Sequence, residues 1–170
     1  EKTLADNQLV DGQATVTLKQ AMTAAETNVA KAVAFDQSVS GLSAINIDVS
    51  NEESITALKT QLIAIDKAYN ALTPLQKLLI KQESADIIGP FQDILAISGE
   101  IGALKPTNTQ QYRDAVNAIQ TKINALSTIN IGTLVIAKDI VVKIIPNIEK
   151  LTEAQKDIEA VVNVEQIITA

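Results

Sequence analysis

The 170-residue sequence predicts an all-α protein made of two consecutive three-helix bundle modules, a tandem repeat. Three observations carry this prediction. Apolar residues recur at steps of three and four along most of the chain, Thr-x-x-Gln start signals open several of those stretches, and two phrases occur twice in the same order. Leu42-Ser43-Ala44-Ile45-Asn46-Ile47 returns 84 positions later as Leu126-Ser127-Thr128-Ile129-Asn130-Ile131, with five of six residues identical. Leu72-Thr73-Pro74-Leu75-Gln76-Lys77 returns 79 positions later as Leu151-Thr152-Glu153-Ala154-Gln155-Lys156, so the second copy is five residues shorter. The organisation that follows is an N-terminal arm or linker over 1–12, one three-helix module over 13–105 and another over 106–170.

Residues 1–12 carry little pattern and end in the turn signal Asp11-Gly12. Thr17 and Gln20 then form a capping-box pair ahead of a helix whose buried stripe is expected to be Leu18, Met22, Ala25, Val29 and Val33. The helix should fade near 38–41. The stretch 40–50 reads as a loop with inward isoleucines, because the alternation of Ile45, Ile47 and Val49 is one isolated run and cannot make a sheet. Ser50 with Glu53 predicts the next capping box, and Ile55, Leu58, Leu62, Ile65, Tyr69 and Leu72 give the cleanest amphipathic helix in the chain. Thr73, Pro74 and Gln76 start a third helix towards Leu104, kinked or broken at Gly89-Pro90. Thr107 and Gln110 open a fourth, with Tyr112, Val116, Ile119, Ile123 and Leu126 inward. After the second Leu-Ser-x-Ile-Asn-Ile loop, helices are expected over about 133–150, bent at Pro146, and about 153–168.

Composition narrows the function classes. Hydrophobic residues make up 46% of the chain, yet Phe35, Phe91, Tyr69 and Tyr112 are its only aromatics, so the core is built from aliphatic side chains. His and Cys are absent, which removes the imidazole base, the thiolate nucleophile, the disulfide and the common zinc sites. The reading is therefore no enzyme, with no catalytic, cofactor-binding or metal residues and no cofactor. A net charge of −6 and the single arginine, Arg113, argue against a nucleic-acid partner. The apolar run Leu134–Ile145 is broken by Lys138, Asp139 and Lys143 and falls short of the roughly 20 residues of a membrane span. The start at Glu1, without a basic or apolar leader, reads as a mature protein or an excised piece.

Several polar groups were weighed as sites. Asn46, Asp48, Asn51, Glu52 and Glu53 supply hard oxygens, but lack the spacing and glycine of a calcium loop, and helix capping already explains Ser50 and Glu53. Asp66-Lys67 and Glu149-Lys150 read as solvated faces, and Asp139 with Lys143 as an i,i+4 helix pair. Glu153, Asp157 and Glu159 have no cleft that would raise a carboxylate pKa. Tyr69 and Tyr112 fall in register with apolar stripes and read as core side chains with a hydroxyl at the rim. Asn46 and Asn130 read as turn residues.

The stretch Ala68-Tyr69-Asn70-Ala71-Leu72-Thr73-Pro74-Leu75-Gln76-Lys77-Leu78-Leu79-Ile80 resembles a phrase, A-Y-x-x-L-T-x-x-Q-K-x-x-V, of helical repeat modules in Gram-positive bacterial cell-surface proteins, surface-layer and adhesin-like proteins among them. The second copy, Ile148 to Ile158, keeps Leu151, Thr152, Gln155 and Lys156, with Ile148 in the tyrosine's place. The resemblance implies an extracellular, cell-surface location and a structural, assembly or adhesion role. Its partners would be neighbouring modules, copies of the same protein, or cell-envelope or host components. The alternative reading is a helical bundle that opens around an apolar ligand such as a fatty acid, suggested by the aliphatic content and the proline-marked kinks.

Overall fold

The computed structural model describes residues 8–11, 14–42, 51–107, 110–131 and 134–168, with side-chain surroundings for 17–42, 51–107, 110–131 and 134–162. The described chain is mostly helical, with two small hairpins. Within the segment expected to be an arm, β1 (Gln8–Asp11) pairs antiparallel with β2 (Ala14–Thr17), Asp11 opposite Ala14. Asp11 of the expected turn signal ends β1, and Gly12 lies outside the described residues. β2 runs directly into α1 (Leu18–Gly41). Here the expected capping box forms: the Thr17 N–H donates to Gln20 Oε1 (3.0 Å) and the Gln20 N–H donates to Thr17 Oγ1 (3.2 Å).

The buried face of α1 differs from the expected one. Ala32, Phe35, Asp36 and Val39 are buried, followed by Leu42, whereas Met22, Val29 and Val33 are 56%, 50% and 47% exposed. The reason is where neighbouring helices reach. α2 (Glu52–Asn70) and the segment after it pack on α1, and no residue from 17 to 31 is buried. In α2 the expected stripe holds, with Ile55, Leu58, Leu62 and Ile65 buried and Tyr69 and Leu72 partly so. Its cap is Asn51, whose Oδ1 accepts from the Glu53 N–H at 2.8 Å; the expected Ser50 lies outside the described residues.

The single helix expected over 74–104 is three: α3 (Pro74–Lys77), α4 (Gln82–Asp86) and α5 (Ile88–Ala103). The first break comes at 78–81, where the buried carboxylate of Asp36 on α1 accepts the Lys81 N–H at 3.1 and 3.2 Å and draws the backbone out of the helix. The second is at Ile87. This is the break expected at Gly89-Pro90: Pro90 has no N–H to donate to the Asp86 carbonyl, so α4 ends at Asp86 and Pro90 falls in the first turn of α5, where no intrahelical acceptor is needed.

α6 (Gln110–Ala125) buries Tyr112, Val116, Ile119 and Ile123 as expected. The helix expected over 133–150 is replaced by a hairpin, β3 (Ile129–Ile131) with β4 (Leu134–Ile136), and a six-residue α7 (Lys138–Lys143). Ile129, Ile131 and Ile136 point into the core while Asn130 and Val135 point out, a strand's two-residue period. Pro146 lies between helices, beside Asn147, which takes the left-handed φ of 62° that asparagine tolerates better than most residues. α8 (Ile148–Ile168) therefore begins before the expected start at 153.

These elements enclose a continuous aliphatic core from Phe35 to Ala154. α5 lies at its centre, packing on α2, α4, α6 and α8. Inward-facing residues include positions related by the two sequence spacings. Ala32, Phe35, Val39 and Leu42 correspond, at the 84-residue spacing, to Val116, Ile119, Ile123 and Leu126. Leu62, Ile65, Tyr69 and Leu72 correspond, at the 79-residue spacing, to Val141, Ile144, Ile148 and Leu151.

Candidate functional site

The repeated Thr-x-x-Gln phrases have different surroundings. At α3 the capping box is complete, with Thr73 N–H to Gln76 Oε1 at 3.0 Å and Gln76 N–H to Thr73 Oγ1 at 3.3 Å. Gln76, only 3% exposed, also donates through Nε2 to Asn28 Oδ1 on α1 at 2.8 Å. Its counterpart sequence is not a cap. Thr152 lies inside α8 and donates to the Ile148 carbonyl (3.4 Å), while Gln155 Nε2 donates to Gln120 Oε1 on α6 at 2.6 Å. Each glutamine ties its helix to an earlier one, Gln76 to α1 and Gln155 to α6, but only Thr73 starts a helix.

The remaining polar residues singled out in the sequence mostly finish helices. Lys150 Nζ donates to the Gly102 carbonyl in the last turn of α5 (2.8 Å), and Lys138 Nζ donates to the Asn124 carbonyl in the last turn of α6 (2.5 Å). Both place a cation at the negative end of a helix. Lys122 pairs with Glu100 between α6 and α5. Asp66 accepts from Asn70 Nδ2 at 3.0 Å along α2, and Glu52 and Glu53 occupy its first turn. Asp139 and Lys143 stand in the first and last turns of α7. Asn46 and Asp48 lie outside the described residues, and Asn130 is an exposed strand residue opposite Val135. Tyr69 is packed against Phe35 (ring centroids 5.7 Å apart), with Lys77 Nζ 4.3 Å from its ring centre. The two rings and this cation hold α1, α2 and α3 together.

Two surface features remain. The first is an open groove of about 240 Å³ between α6 and α8, bordered by Tyr112, Arg113, Asp157, Ile158 and Val161. Burial, and secondarily the nearby negative Asp157, push the Tyr112 phenol above its ordinary value. Glu153 and Glu159 are exposed along α8 and do not line this groove. The groove can take up a small apolar group beside a tyrosine, a guanidinium and a carboxylate. Among the described residues, no three acidic side chains come together as metal ligands.

The second feature includes Met22, Val29 and Val33, which the sequence pattern places in the core. Met22, Val29 and Val33 on α1 stand exposed. Leu75, Leu78 and Leu79 are exposed on the 74–81 segment, which lies along residues 28–36 of α1 through the Gln76–Asn28 and Lys81–Asp36 bonds. A signal for it was present: α1 carries two apolar stripes, the expected one and the buried Ala32-Phe35-Val39-Leu42 series, more than one half-buried helix needs.

This is a mostly helical protein with a filled aliphatic core and an uncovered aliphatic face. The chain matches no known family model, no curated protein and no solved structure. Among the described residues, no helix is long and apolar enough to cross a membrane.

Proposed function

We propose that this chain is a non-enzymatic structural, assembly or adhesion module of a bacterial cell-surface protein. It would consist of two copies of a helical trio, over 13–105 and 106–170, fused around the shared helix α5. The observation that carries this reading is the exposed aliphatic face on α1 and the 74–81 segment. Such a face is what a contact-forming protein presents. The repeat register of inward residues and the surface-protein phrase at 68–80 support the same reading.

Antibodies against the chain are expected to label intact source cells, and the label should be lost after brief protease treatment of those cells. Labelling that requires lysis would overturn the cell-surface reading. The apolar-ligand alternative has weaker support. The α6–α8 groove, about 240 Å³, is below the roughly 300–1,000 Å³ of ligand pockets. The larger grooves, about 320 and 330 Å³, are open and bordered by Asp93, Glu100 and Lys122 or by Glu52, Lys59 and Glu149. Native mass spectrometry of gently purified protein checks this: a bound lipid mass favours the alternative, and a bare chain mass the contact module.

A further inference from the structure

We infer that the uncovered stripe of α1 is the contact of a two-fold dimer, its occupant being α1 of a second copy packed antiparallel. This deepens the assembly reading by naming the face and the partner. It stands on solution behaviour, so it can fail while the cell-surface reading survives, and the reverse.

The stripe is self-complementary. Leu18, Met22, Ala25 and Val29 recur at helical steps over 17–31, where no residue of α1 is buried, and the exposed Val33 continues them beside the buried Ala32. An antiparallel partner centred beside Ala25 sets Leu18 opposite Val33 of the second copy and Met22 opposite its Val29. The smallest member of the stripe then lies near the axis, where two helices must approach most closely. A two-fold contact requires this kind of match, because one patch has to serve both sides.

Charge permits the contact. A chain of net charge −6 resists meeting its own copy, yet over 18–33 and 74–86 four lysines face three acids, so this side is nearly neutral. Area is sufficient as well. The exposed fractions of the six large aliphatics on the α1 and 74–81 surfaces amount to about three whole residues. At about 100 Å² of apolar surface for each, a pair of copies would cover on the order of 600 Å² of apolar surface. Interfaces are about 60% apolar, so the total comes to about 1,000 Å², the lower end for a specific association. The dimer is therefore expected to be reversible in the micromolar range.

Sedimentation velocity of the 170-residue chain, from low to several hundred micromolar, should show a concentration-dependent shift towards twice the 18.1 kDa mass. Val29→Asp and Met22→Asp should each weaken the dimer roughly tenfold or more. Val135→Asp, at an equally exposed aliphatic on β4 (58%), should leave it unchanged. Because the chain has no cysteine, Ala25→Cys reports the register, and mild oxidation should cross-link it rapidly while Val135→Cys stays monomeric on a denaturing gel. A chain that remains monomeric throughout overturns the inference. So does a dimer indifferent to Val29→Asp, or one in which Ala25→Cys fails to cross-link. Circular dichroism of each variant separates a lost contact from a lost fold.

Discussion

Gln76 is the residue on which the first half of the molecule turns. It closes the α3 cap with one end of its amide and holds Asn28 of α1 with the other, in a nearly dry position. Removing it takes a partner from the Thr73 N–H and from the partly buried Asn28 Oδ1, two bonds lost at once. Gln76→Ala is expected to destabilise the fold by about 1–3 kcal/mol, read as a lower urea midpoint at an unchanged slope. Gln155→Ala, at a half-exposed position, is expected to cost about 0.5–1.5 kcal/mol. Tyr112 gives a pH signature. Its phenol is held above the ordinary value of 10.0, first by burial and then by Asp157, so folding favours the neutral form. That stabilisation is fully present below the unfolded value and is lost as pH rises through the raised folded one. Chemical denaturation at a series of alkaline pH values should therefore show stability falling above about pH 10, more steeply in the parent chain than in Tyr112→Phe.

At the scale of elements, the same four-residue phrase has different consequences depending on what precedes it. Thr73 follows a helix that has ended and takes an extended backbone, so its hydroxyl caps α3. Thr152 follows Ile148–Leu151, already helical, so its hydroxyl turns back to a carbonyl one turn earlier. Thr73→Ala is accordingly expected to cost about 1 kcal/mol. Thr152→Ala should be neutral or stabilising by a few tenths, since alanine has the higher helix propensity. A thermal melt of the two variants distinguishes the roles. Gly99 lies in mid-α5 with open space where a Cβ would be, and Gly99→Ala is expected to add about 0.5–1 kcal/mol. The helices with the most regular stripes, α2 and α6, were legible in the sequence nearly to the residue. The break at 78–81 was not, because its cause is Asp36, 45 residues away on another helix. The β3–β4 hairpin was missed for a related reason: Ile129, Ile131 and Leu134 through Ile136 suit helix or strand locally, and burial on one face decides between them.

For the whole molecule, α5 is the central member. It packs on α2 on one side and on α6 and α8 on the other, so 106–170 by itself lacks the surface its two long helices cover. A fragment of 106–170 is expected to show little helix by circular dichroism and no cooperative melt, while the intact chain unfolds in one transition. A stably helical, cooperatively melting fragment would show that the second trio is self-sufficient. The candidate site follows the same logic. The stripe of α1 was fully readable as an apolar helix face, but its exposure was not, since that depends on how far α2 and the 74–81 segment extend along it.

Helical character, the Thr17 and Thr73 caps, the inward faces of α2 and α6 and the duplicated register all follow from the sequence, because each rests on contacts within a few residues or on a strict period. Which of two apolar stripes on α1 is buried, the break at 78–81, and the central place of α5 were decided only by the tertiary structure. Those outcomes depend on which helices reach one another in space, and a local period carries no information about reach.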